Sequence, residues 1–223
     1  MPSTENWWSG AVEWTTPAGE LVKAFLASLP RDRNYRFTIY GSAALQLTVA
    51  RDLLSGDVDI FSNDDEDLRA LIAGGPFDKE RGGLYLDTGF ELSFRTSPRW
   101  RQRAKVVEVG NATITIPHPV DILIGKLDRL EDKDLRAFER VRAVTGHPTP
   151  EEFIKELQGA VDLYRPSFEE ESPNRFLENT ERLWRTFFGG KIDVRNQIIA
   201  PALARRRQGY GQSTEDYKSR LGQ

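Results

Sequence analysis

Asp57 and Asp59, one residue apart in Gly56-Asp57-Val58-Asp59-Ile60-Phe61, are the residues best placed by type and spacing to do chemistry. Side chains alternate along a strand, so an extended run here puts both carboxylates on one face and Val58 and Ile60 on the other. Carboxylates held side by side repel each other unless a cation sits between them. An oxygen-only donor set of this kind suits Mg²⁺ or Mn²⁺. Shortly before them, the apolar run 37–40 ends in Gly41-Ser42, and a small-residue helical segment follows from Ala43. Gly41 lets backbone approach a ligand closely, and a helix opening at Ser42 offers free N–H groups to phosphate. The stretch 37–61 therefore reads as strand, Gly-Ser, helix and acidic strand, a site for a metal and a phosphate.

The rest of the chain supplies the elements that hold this stretch. A polar arm with Trp7, Trp8 and Trp14 occupies residues 1–16. Thr16 as N-cap and Pro17 in the first turn predict a helix whose Leu21, Phe25 and Leu29 face inward. Residues 30–34 close it and lead into the first strand. After Asp59, an acidic-fronted helix is expected through about residue 73, with Asp64, Asp65 and Glu66 complementing its dipole. Residues 84–94 read as β with a kink at Asp87-Thr88-Gly89, and 105–109 pairs with 112–116 as a hairpin about Gly110-Asn111. From Pro119 onward the pattern is helical, with Val120, Leu123, Ile124, Leu127 and Leu130 forming an apolar stripe. Helices are expected from Asp132–Asp134 to Gly146, from Pro150, over 174–188 and over 193–207, with a linker at 166–173 and a loose tail. This is an α+β pattern with a mixed sheet and flanking helices, divided into an arm (1–16), a core (17–146) and a helical C-terminal region (147–223).

Composition narrows the chemistry. The chain has 223 residues, no cysteine, and only His118 and His147 as imidazoles, so disulfides, cysteine-bound zinc and a multi-histidine metal site are excluded. No apolar run reaches membrane-spanning length, and the first ten residues lack the basic start and apolar core of a signal peptide, so a cytoplasmic protein is expected. A net charge of −3 means that nucleic-acid binding would need a local basic patch. Residues 95–105 offer one, with Arg95, Arg99, Arg101 and Arg103 around Trp100 and no acid. Cations beside an aromatic suit a phosphate backbone with a stacked base, although a solvated basic loop has the same composition. Lys126 lies among Leu123, Leu127 and Leu130, so its stem borders the buried stripe. Its ammonium either reaches inward or snorkels to solvent.

The run FTIYGSAALQLTVARDLLSGDVDIF resembles the signature of the polymerase-beta-type nucleotidyltransferase superfamily: hydrophobic, Gly-Ser, helix, then Asp-hydrophobic-Asp-hydrophobic. PHPVDILIGKLDRLEDKDLRAF is similar to a segment of AbiEii-type toxin nucleotidyltransferases, in which an apolar helix ends in Lys-Leu before an Asp-bearing helix start. The resemblance covers about residues 37–140 and implies a nucleotidyltransferase fold. It further implies a Mg²⁺ (or Mn²⁺) enzyme that moves an NMP from an NTP to an acceptor hydroxyl. In that reading Gly41 and Ser42 cradle phosphate and Ser55 fits the Ser or Thr often found before the acidic pair. Asp57 and Asp59 bind metal, Lys126 holds the triphosphate, and Asp134 supports catalysis. Asp134 also fits a plain helix N-cap, and Arg136-Ala137 stands where a second Asp is often found. Members with two-metal chemistry carry a third carboxylate on a neighbouring strand, for which Glu91 is the choice and Glu108 the competitor. The implied partners are an NTP, an RNA or tRNA 3′ end as acceptor (with Arg95, Arg99, Trp100, Arg101 and Arg103 to hold it) and an antitoxin protein. A catalytically degenerate member that binds nucleotide or a partner is the alternative.

Overall fold

A computed structural model describes residues 7–8, 10–89, 94–165 and 175–208. It shows an α+β protein built on a mixed five-stranded sheet flanked by helices. The strands are β1 (Tyr35–Ile39), β2 (Asp57–Phe61), β3 (Tyr85–Asp87), β4 (Lys105–Val109) and β5 (Ala112–Ile116), in the spatial order β3-β2-β1-β5-β4. β1 runs antiparallel to β2 and parallel to β5, β2 is parallel to β3, and β4 and β5 form the hairpin. β1 and β5 bury alternate residues, Tyr35, Phe37 and Ile39 on one and Ala112, Ile114 and Ile116 on the other. Val58 and Ile60 face the core from β2, which leaves Asp57 and Asp59 on the other face.

The helices follow their end signals. Helix α1 (Pro17–Ser28) starts at Thr16, whose hydroxyl accepts from the Gly19 amide at 3.2 Å, and buries Val22, Phe25 and Leu26. Helix α2 (Gly41–Thr48) leaves β1 directly through Tyr40. Its buried Gln46 accepts from the Ala18 amide and donates to the Leu53 carbonyl, which ties α1, α2 and the loop before β2 together. Helix α3 (Asp65–Ile72) follows β2, and a single turn, α4 (Trp100–Arg103), precedes β4. Helix α5 (Pro119–Lys126) is capped by His118, whose Nδ1 accepts from the Val120 amide at 3.1 Å. Helix α6 (Asp132–Thr145) stops where Gly146 turns left-handed, at φ 74°. Helix α7 (Pro150–Gly159) is capped by Thr149, and α8 (Arg175–Leu183) runs on to Phe188.

The sheet differs from the expected one at a single strand. Among the described residues of the run 84–94, the strand is Tyr85–Asp87, and the Asp87 carboxylate accepts from the Gly89 amide at 2.8 Å where the chain turns. Glu91 and the linker at 166–173 lie outside the described residues. No described helix is long and apolar enough to cross a membrane.

Candidate metal and phosphate cleft

Three half-buried aspartates meet at one end of the sheet. Oxygen atoms of Asp57, Asp59 and Asp87 lie within 4.8 Å of one another. Strand pairing explains the cluster: Asp57 and Asp59 share a face of β2, and the parallel register places Asp87 of β3 opposite Asp59. Burial, with Asp57 and Asp87 beside it, pushes the Asp59 carboxyl up to about 7, and Lys126 and Arg129 offset only part of that. A divalent cation would relieve this repulsion, and a donor set made only of carboxylate oxygens fits a hard ion such as Mg²⁺ or Mn²⁺.

The Gly-Ser turn packs directly onto this cluster. Tyr40 donates its amide to the Asp59 carbonyl at 2.9 Å, which brings the first turn of α2 against β2. Gly41 has φ +65°, and a Cβ at this position would lie 1.9 Å from Asp59 Oδ2. No other residue type fits there without displacing the carboxylate. Helix α2 has no side-chain cap, so its first amides are left for another acceptor. Ser55 donates to the Asp57 carbonyl at 2.7 Å, holding the start of β2 from the preceding loop.

Lys126 closes the other side. At the C-terminal end of α5 its ammonium donates to Ser42 Oγ at 3.2 Å and to Asp134 Oδ1 at 3.0 Å, and its side chain is 9% exposed. It points inward and does not snorkel. Asp134 is fully buried and also accepts from the Glu131 amide at 3.0 Å and the Arg129 guanidinium at 3.3 Å. It is thus both the helix-start acceptor and the partner of Lys126. Burial raises the Asp134 carboxyl, but Lys126, Arg129 and the Glu131 amide outweigh it and hold the group below the ordinary carboxylate value.

Gly41, Ser42, Ser55, Asp57, Asp59, Asp87, Lys126 and Arg129 line a single cleft of about 1090 Å³, walled by the loop before β2 and by Lys133, Arg136 and Arg140 of α6. Its apolar lining comes from Phe94, Ile122 and Gly125 and also from Leu53, Leu54 and Ala143. Among the described residues, Asp87 stands on the neighbouring strand beside Asp57 and Asp59. Glu108 is excluded by position, because β4 is the opposite edge of the sheet and its carboxylate accepts from Thr113. In the sequence, Asp87 was masked by the turn residues after it.

The basic segment is used differently from the expectation. Arg103 forks onto Asp121, at 2.6 and 3.1 Å, and also pairs with Glu156, so it is a buried structural cation. Trp100 is buried against Tyr40 and Phe61, with Arg101 stacked over its ring at 4.6 Å. Arg95 pairs with Asp128 at 3.3 Å. Arg99 and Arg101 are exposed, but the segment offers no free aromatic face beside them, so it is not the expected stacking platform for RNA. No protein-family model, curated protein or solved structure matches the chain.

Proposed function

We propose that the protein is a metal-dependent nucleotidyltransferase that moves an NMP from an NTP to an acceptor hydroxyl: the hydroxyl oxygen bonds to the α-phosphorus as the bond to pyrophosphate breaks, and pyrophosphate and the hydroxyl proton leave. One observation carries this reading: three carboxylates, a glycine-serine helix start and an inward lysine converge in one cleft. The arrangement agrees with the resemblance of residues 37–140 to polymerase-beta-type nucleotidyltransferases.

Asp57, Asp59 and Asp87 would hold Mg²⁺ or Mn²⁺. The ion, when bound, neutralises phosphate charge and lowers the pKa of an oxygen nucleophile. The first amides of α2 and the Ser42 hydroxyl face the phosphates, and Gly41 keeps the backbone close enough to do so. Lys126 brings positive charge to the phosphate chain, with Asp134 fixing the ammonium in place. Arg129 adds a second cation beside Asp59. These groups serve in-line transfer by position and charge and need no covalent intermediate. An RNA 3′ end is the acceptor suggested by the toxin-type resemblance.

The test is incubation of the purified protein with Mg²⁺, α-labelled NTPs and total RNA, followed by product analysis. Transfer of label is expected from the wild type. Asp57→Asn and Asp87→Asn should each lower it by at least ~10²-fold while circular dichroism stays unchanged. Label transfer that survives Asp87→Asn would remove Asp87 from the ligand set. Nucleotide binding without any transfer would favour the degenerate alternative.

A further inference from the structure

Phe94 is the one aromatic side chain that lines the cleft among the described residues. Its surroundings fix its place relative to the phosphate groups on both sides. One neighbour is Tyr40, whose ring centre lies 4.5 Å away, and Tyr40 immediately precedes Gly41. On the other flank is Gly125, where a Cβ would sit 3.3 Å from Phe94 Cε2, and Gly125 immediately precedes Lys126. Trp100 meets the ring edge-on at 5.6 Å and braces it from behind. The ring is therefore held against Tyr40, which directly precedes the start of α2 at Gly41, and against Gly125, which directly precedes the inward lysine. It remains half-buried, with Ile122 extending the same apolar patch.

Most of the residues that line the cleft are charged or polar, with Phe94 the flat apolar surface among them, and an NTP carries one large flat apolar part, its base. We infer that Phe94 is the platform on which the base of the bound nucleotide stacks. The inference rests on the nucleotidyltransferase reading and adds to it the element that separates an NTP from any other polyphosphate. Stacking uses the face that every base has, so this platform grips all four bases, and purines more than pyrimidines because their faces are larger. Gly125 belongs to the device, because a Cβ there would press on the ring at 3.3 Å.

Isothermal titration with two probes separates the parts. Mg-tripolyphosphate has the phosphates and no base; Mg-ATP has both. The expected result is that Phe94→Leu weakens Mg-ATP roughly ten-fold or more, leaves Mg-tripolyphosphate unchanged, and is restored by Phe94→Trp. Equal loss for both probes would reduce Phe94 to a packing residue, and no loss for Mg-ATP would remove it from the site. A wild type that binds neither probe would overturn the nucleotidyltransferase reading and this inference with it. A wild type that binds both, with a Phe94→Leu variant that is indifferent, overturns only the inference. A readout on the unaltered protein covers a variant that fails to fold. The triphosphate of 2-aminopurine riboside should lose fluorescence on binding, and a bound but unquenched probe would rule the platform out.

Discussion

Burial, with Asp57 and Asp87 facing it, pushes the Asp59 carboxyl up to about 7. Its folded-state value of about 7 lies above the ordinary carboxylate value of about 4, so the folded protein holds a proton that the unfolded chain gives up. Without metal, the Asp59 contribution to stability should fall as pH rises from about 4 towards 7 and level off above that. After allowance for solvent screening the loss is of order 2 kcal/mol. Mg²⁺ should restore most of it at pH 8, and Asp59→Asn should remove this falling contribution. Chemical denaturation at pH 5 and pH 8, with and without Mg²⁺, measures this. Buried His118, held down to about 4, gains stability over part of the same window, so the readout is the wild type minus Asp59→Asn; an equal change from pH 5 to pH 8 in the two proteins would contradict the cluster's energetics.

Helices α2, α5 and α6 meet through one lysine. Lys126 at the end of α5 donates to Ser42 at the start of α2 and to Asp134 in the first turn of α6. Three helix ends are thereby held in register around the cleft. Removing the lysine leaves Asp134 buried with Arg129 and one amide as its remaining partners. Lys126→Met should therefore destabilise the fold by about 1–3 kcal/mol and also abolish triphosphate binding. Asp134→Asn should destabilise it to a similar degree. The double variant should show a coupling of at least ~1 kcal/mol in a double-mutant cycle read by denaturant titration, whereas additive losses would mean that the two groups do not depend on each other.

Across the whole molecule, the helical region after residue 147 is joined to the core partly by charge. Arg103, from the turn before β4, forks onto the fully buried Asp121 of α5 and reaches Glu156 of α7. Burial raises the Asp121 carboxyl, and the Arg103 guanidinium and the Thr96 hydroxyl draw it back down. Breaking such a buried set by removing its cation costs roughly 3–5 kcal/mol. Arg103→Met should lower unfolding stability by about that much, while Arg99→Ala and Arg101→Ala on the exposed part of the segment change it by less than ~0.5 kcal/mol. Urea titration of the three variants compares them. A neutral Arg103→Met would mean that the triad is not holding α5 to α7.

Much of the cleft could be read from the linear order because its first half is local. Residues 37–61 carry their own strand, turn, helix and strand signals, and alternation alone puts Asp57 and Asp59 on one face. Helix ends were legible for the same reason: Thr16-Pro17, His118-Pro119 and Thr149-Pro150 act within one turn. Asp87 was not legible, because a third carboxylate is chosen by which strand pairs with β2 and in what register. The kink signal at Asp87-Thr88-Gly89 marked where β3 ends without showing that its last residue faces Asp59. The basic segment misled for a related reason. Composition counts the cations of Arg95–Arg103, but only packing decides that Arg103 turns inward to Asp121 and Glu156 while Arg99 stays in water. Sequence alone determined which residues could bind metal and phosphate; the tertiary structure decided which acids share a space, because pairing and burial depend on segments far apart in the chain.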